Sequence, residues 1–163
     1  MPSSITDLGH YALAENTALE SVIFENGIEA FTGQGVCLRC TALNNVVLPN
    51  TLKDTGYATF SYATALKTIE LPQSLETIGN RSFQNSGLTT ITIPSGVTNI
   101  IDRAFYGCAS LTEMKIEATT PPTLAETDSI SSATTTIYIP AGTLSAYQSA
   151  SNWSSFASMF VEV

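Results

Sequence analysis

Hydrophobic and polar positions alternate in short bursts along most of the chain, and the bursts return at a nearly fixed interval. Leu19-Glu-Ser-Val22-Ile-Phe24, Leu43-Asn-Asn-Val46-Val-Leu48, Leu66-Lys-Thr-Ile69-Glu-Leu71, Leu88-Thr-Thr-Ile91-Thr-Ile93 and Leu111-Thr-Glu-Met114-Lys-Ile116 follow one another every 22 to 24 residues. Residues two apart lie on one face of a strand, so Ile91 and Ile93 point to a core while Thr90 and Thr92 point away. Pro49, Pro72 and Pro94 follow the last apolar position of three bursts. A residue with fixed φ and no N–H ends a ladder there and turns the chain. The pattern predicts one half-buried strand per copy, closed by a corner. A period of this length is the signature of a solenoid, in which the copies lie side by side.

A second motif recurs in phase between the strands. Its clearest copy is Val97-Thr-Asn-Ile100-Ile-Asp-Arg-Ala104-Phe105-Tyr-Gly-Cys108-Ala-Ser-Leu111. Leu75-Glu-Thr-Ile78-Gly-Asn-Arg-Ser82-Phe83 repeats it, and Ile5-Thr-Asp-Leu8-Gly-His-Tyr-Ala12-Leu13 is a degraded version. Apolar residues stand at helical spacing over 79–85 and 102–107, which predicts a short helical turn on the outer wall with its Phe pointing inward. With Leu, Phe and Pro locked in phase, the chain resembles the BspA-like leucine-rich repeats of bacterial surface proteins. The resemblance implies a right-handed α/β leucine-rich-repeat solenoid: one parallel sheet of about six to seven short strands, backed by short helical turns.

One copy buries too few side chains to offset the ordering of some twenty residues, so stability must come from stacking and be weakest at the ends. Leu13, Cys37, Phe60, Phe83 and Phe105 are expected to run as a ladder through the shared core. Repeat two departs from the pattern, with Cys37 in the Phe position and Phe31-Thr-Gly-Gln-Gly ahead of it; repeat three has Thr55-Gly56-Tyr57 in place of the Ile-Gly start. These irregularities are expected in the outer turns, with the strands kept in register.

The organisation read from these patterns is one continuous domain. Residues 5–116 form five repeats, and 117–163 an irregular connection, a sixth strand and a C-terminal capping helix. Residues 117–136, with Pro121-Pro122 and a Ser/Thr-rich run, abandon the usual turn. Ile137-Tyr-Ile139-Pro140 then restores the strand signature, Ile139 lying 23 residues after Ile116. Thr143 is expected to cap a helix running to Ala150, with Trp153, Phe156 and Phe160 covering the last repeat and Val161 and Val163 in a closing strand. The first copy starts partway through the unit without a polar cap, so the chain is expected to be part of a longer protein.

Composition narrows the function. The chain of 163 residues is 44% hydrophobic and only 12% charged, and six basic against fourteen acidic residues leave a formal charge of -8. No basic cluster is present, which argues against nucleic acid and anionic membranes as partners. No run is long enough to span a membrane, and Met1-Pro2-Ser3-Ser4-Ile5 lacks the basic start and apolar stretch of an export signal. The expected location is extracellular or at the cell surface, on the assumption that the export signal is missing from this chain.

Candidate chemistry is sparse. Cys37-Leu-Arg-Cys40 has the spacing of thiol redox motifs but no βαβ context, and both positions coincide with repeat sites. Cys40 and Cys108 are three repeats apart, about 14 Å at ~4.8 Å per strand, too far for a disulfide, which needs Cα atoms within about 7 Å. The cysteines read as buried small hydrophobes. His10 is the only histidine, which removes most acid–base and zinc schemes. No G-x-S-x-G turn accompanies the many serines. No catalytic residue, metal site or cofactor is expected. What remains is the outward row of the strands: Ile23, Val47, Glu70, Thr92 and Lys115, flanked by Ser21, Asn45, Thr68, Thr90 and Glu113. The resemblance implies that a partner, protein or glycan, docks there. The expected function is a non-enzymatic binding or adhesion module; the alternative is a structural spacer within a larger surface protein.

Overall fold

The structure is a computed structural model describing residues 2, 4–130 and 135–163. Part of the Ser/Thr-rich run in the irregular connection therefore falls outside the described residues. In chain order the strands are β1 (Ser21–Ile23), β2 (Asn45–Val47), β3 (Thr77–Ile78), β4 (Thr90–Ile93), β5 (Asn99–Ile100), β6 (Glu113–Ile116), β7 (Thr123–Leu124), β8 (Thr136–Ile139) and β9 (Phe160–Glu162). A short helix, α1 (Leu144–Ser149), and 3₁₀ turns at Thr127–Ser129 and Trp153–Met159 complete the set. Every strand pairing is parallel, and β1 to β2, β4 to β6 and β6 to β8 join equivalent residues of neighbouring repeats: Val22 with Val46, Ile91 with Met114, Met114 with Ile137. The expected sixth strand is β8, in the predicted register.

The single sheet expected from the sequence is instead three ladders: β1-β2, β4-β6-β8-β9 and a narrower β3-β5-β7. The narrow ladder comes from the second motif and is carried towards the N-terminus by parallel bridges from Ala30 to Asp54 and Asp54 to Thr77. The principal ladder breaks at repeat three, where Leu66–Leu71 forms no strand. Ile69 and Leu71 still bury their side chains. Burial drives the alternation, whereas a ladder hydrogen bond nets only about 1 kcal/mol over one made to water, so the pattern survives where the pairing does not.

The outer wall also differs from expectation. The five turns are not helical: each holds two left-handed residues four apart, namely Tyr11 and Glu15, Gly35 and Arg39, Ala58 and Tyr62, Arg81 and Asn85, Arg103 and Gly107, with φ between 54° and 71°. Alternate N–H groups bond three residues back, as from Gln84 to the Arg81 carbonyl, and the intervening ones reach the next repeat, as from Phe83 to Ala104 and Asn85 to Tyr106. A helix would spend all these donors within its own segment. The turn ribbon shares them between repeats, offsetting the ~1–2 kcal/mol that a non-glycine residue costs in the left-handed region.

One contiguous hydrophobic cluster runs from Leu8 to Phe156. Phe60, Phe83 and Phe105 form the expected ladder. Its next rung is Phe31, edge-on to Phe60 at 6.2 Å, rather than Cys37. Cys37 does hold the backbone position of the Phe, donating its N–H to the Thr59 carbonyl as Phe60 donates to Ser82. Phe31 joins the row from a different position in its repeat. Leu13 is half-buried at the end of the row.

The C-terminal cap is bound by side chains to the irregular connection. The Trp153 indole donates to the Pro122 carbonyl at 2.7 Å, the Tyr147 hydroxyl to Ala118 at 2.7 Å, and the Asn152 amide to Leu124 and Ala125 at 2.8 and 3.0 Å. Thr143 precedes α1 as expected but does not cap it through its side chain. Its hydroxyl donates to the Pro140 carbonyl, and Glu162 Oε1 accepts the Leu144 N–H instead. The closing strand β9 takes in Val161 and ends before Val163.

Candidate binding face

The pleat of the principal strands sends alternate side chains outward, and parallel register aligns them from copy to copy. Ile23 pairs with Val47 and Thr92 with Lys115. All four are exposed, so four of the five residues expected on the strand face stand in two adjacent pairs. Ile23 and Val47 keep 52% and 45% of their surface in water and form a small apolar patch. The fifth, Glu70, is exposed between the two pairs, on the segment that leaves the sheet. The row continues through Tyr138, the register partner of Lys115 and Val161. The alternation Ile137-Tyr-Ile139 carried that information, since it puts Tyr138 on the outward face.

The break around Glu70 gives this face relief. Among the described residues no hydrogen bond joins Thr68, Ile69, Glu70 or Leu71 to either neighbouring repeat; the closest backbone links are from Ala65 to the Thr41 carbonyl and from Thr89 to Lys67. Grooves open on both sides. One, of about 560 Å³, lies between β2 and the Glu70 segment, with Asn44, Asn45, Asn50, Thr68 and Gln73 in its walls. The other, of about 410 Å³, lies between that segment and β4, with Thr90 and Thr92 on its far wall. Burial registers the opening: Val46, Leu48, Ile69 and Leu71 retain 7–9% exposure, whereas Ile91, Ile93, Met114 and Ile116 retain 0–4%.

Charge on the face is sparse, and its lysine is paired. Lys115 Nζ lies 3.5 Å from Glu117 Oε1, and the Gln73 amide, two repeats earlier, donates to the other oxygen of that carboxylate at 3.4 Å. Neither groove is lined by a lysine or arginine. The grooves offer amides, hydroxyls, the Glu70 carboxylate and unpaired backbone groups, a surface suited to hydrogen-bonded recognition.

The opposite wall holds a second feature that reading the sequence missed. Each arginine lies against a tyrosine ring: Arg39 over Tyr62 at 5.6 Å, Arg81 over Tyr57 at 6.0 Å and Arg103 over Tyr106 at 5.7 Å. Glu15 and Asp128 neutralise Arg39 and Arg103 at 3.6 and 3.1 Å. The partners lie three to 24 residues apart, a mixture that no single sequence period reveals.

The cysteines sit in the core as expected. Cys40 and Cys108 hold equivalent places, each thiol donating to the carbonyl at the Phe position of the preceding repeat, Leu13 at 3.1 Å and Phe83 at 3.0 Å. Burial pushes the Cys108 thiol above its ordinary range. His10 is exposed, and its Nδ1 accepts the Gln34 N–H. Among the described residues no group of three or more His, Cys, Asp or Glu side chains could hold a metal, and no helix is long and apolar enough to cross a membrane.

Solved structures with the same architecture include leucine-rich-repeat proteins of bacteria. The T. pallidum leucine-rich repeat protein TpLRR is 26% identical and superposes with a TM-score of 0.65 over 68% of this chain and 52% of its own. The pneumococcal vaccine antigen PcpA, 18% identical, matches 96% of this chain and 42% of its own with a TM-score of 0.71. A leucine-rich cell surface protein of Faecalibacterium prausnitzii A2-165, 23% identical, matches 74% and 39% with a TM-score of 0.56. The latter two likenesses speak to the fold alone. The chain spans about half the length of these proteins or less. No curated protein sequence matches it. Residues 32–150 match the BspA type leucine-rich repeat region in six copies, and the chain belongs to that family.

Proposed function

We propose that this chain is a non-enzymatic binding or adhesion module, displayed at the cell surface or secreted, and that its partner, a protein or a glycan, docks on the strand face around Glu70. The observation that carries the reading is the interrupted ladder. It supplies two grooves, unpaired backbone donors and acceptors, and a rim of amides and hydroxyls at the middle of the strand face. The cell-surface description of the F. prausnitzii relative supports the location. The lack of any clustered acid, base and nucleophile around the grooves supports binding rather than catalysis.

The test is a screen of the folded chain against arrays of extracellular proteins and of glycans, run in parallel with a Glu70→Ala, Lys115→Ala double variant. Exposed side chains contribute little to folding, so the variant is expected to keep the native melting temperature and lose at least tenfold in affinity for whatever the native chain binds. Undiminished binding by the variant would remove the strand face as the site. A second reading, a spacer within a longer surface protein, draws on the chain matching only 39–52% of its relatives' lengths. It predicts that neither array yields a partner.

A further inference from the structure

The C-x-x-C pair of repeat two has no part in the binding face, although both of its positions are repeat sites. Cys40 has an equivalent in Cys108, whereas Cys37 replaces a phenylalanine that Phe31 then supplants in the core. Both side chains are fully buried in the same part of the core. They close one turn: the Cys40 N–H donates to the Cys37 carbonyl at 3.2 Å, with Arg39 left-handed at φ 58° between them. Such an i to i+3 turn brings its end Cα atoms within about 7 Å, inside the span a disulfide bridges. The two thiols are near enough to perturb one another's titration.

We infer that Cys37 and Cys40 form an intrachain disulfide when the chain folds under oxidising conditions, while Cys108 stays a free thiol. Three features favour the step. The neighbouring Cys37 thiol and a backbone N–H from Asn16 lower Cys40 below the ordinary thiol range, which makes it the attacking sulfur. The pair closes one tight turn, so the second thiol stands beside any mixed disulfide formed on the first. Reduced Cys108 has no comparable neighbour: its sulfur faces the Ser86 hydroxyl at 3.3 Å and the Phe83 carbonyl.

With glutathione disulfide as oxidant, the Cys40 thiolate attacks one of its sulfurs, forming a mixed disulfide and releasing glutathione thiolate, which takes a proton. Cys37 then loses its thiol proton, and its sulfur attacks Cys40, expelling the second glutathione. Two thiols give up two protons and two electrons, and one glutathione disulfide becomes two glutathione molecules. The product staples the turn that presents Arg39 to Tyr62 and Glu15, and removes the thiol donor from the Leu13 carbonyl.

The test uses the full chain equilibrated in glutathione buffers of graded ratio, then unfolded and alkylated. In the oxidising buffers the intact mass is expected to fall by about two hydrogens, one alkyl group to enter per chain in place of the three of the reduced protein, and peptide mapping to place the bond between residues 37 and 40. Cys37→Ser is expected to stop at a glutathione adduct on Cys40. Three alkylated cysteines at every ratio, or a bond to Cys108 or to a second chain, would overturn the inference.

Discussion

Phe83 and Phe105 lie face to face in the core, ring centroids 5.5 Å apart and planes 3° from parallel. Phe60 stacks on the other side of Phe83 at 5.5 Å and 17°. Phe83 thus has a ring stacked on each of its faces, and it is fully buried. Truncating it to alanine leaves a cavity between repeats and is expected to cost about 3–5 kcal/mol. Leu13→Ala, at the half-buried end of the row, is expected to cost less than half as much. Urea denaturation of the two variants measures the difference, and equal losses would mean that the rungs do not share one interior.

Close approach of backbones between repeats predicts a second sensitive point. A Cβ added at Gly79 would lie 2.2 Å from the Gly56 carbonyl oxygen, and one added at Gly56 would lie 2.2 Å from that of Phe31. Both obstacles are main chain and cannot swing away. Gly79→Ala is expected to destabilise by roughly 2 kcal/mol or more, read as a lower melting temperature, whereas Gly142→Ala, with open space around its Cβ, pays only the cost of its positive φ.

Anchoring of the cap is testable through one hydrogen bond. Trp153→Phe keeps most of the buried ring but leaves the Pro122 carbonyl without its donor, a loss of about 1–3 kcal/mol. The expected signature is local, with faster amide exchange over Thr123–Leu124 while β4 and β6 keep their protection.

Alkaline pH should act through Tyr147. Burial raises its phenol above the ordinary value of 10.0, so above that pH the unfolded chain releases the proton and the folded chain retains it. The stability it contributes is intact below pH ~10 and declines as pH rises beyond it. Tyr147→Phe should be less stable at neutral pH, for want of the bond to Ala118, and should show a shallower loss between pH 10 and 11.5 in chemical denaturation.

The repeats, their register and the sixth strand were legible because burial imposes them: Ile91, Met114 and Ile137 alternate with outward residues whatever their backbone partners are. The outward row was legible for the same reason. The break at Thr68–Leu71 was not, since Leu66-Lys-Thr-Ile69-Glu-Leu71 meets the same alternation as its neighbours. Nor was the turn ribbon: Phe83 and Phe105 repeat at a spacing that a helical turn and a chain of left-handed turns both satisfy, and only hydrogen bonds between repeats separate them. Phe31 was hidden because it reaches the core from outside the position that the motif reserves for Phe.

The candidate site rests on the interrupted ladder, and residue-resolved amide exchange of the free chain tests it most directly. Ladder amides of β4 and β6 are expected to exchange slowly, and those of Thr68, Ile69, Glu70 and Leu71 orders of magnitude faster at the same pH. Uniform protection through Leu66–Leu71 would mean a continuous sheet without grooves, and would contradict the account.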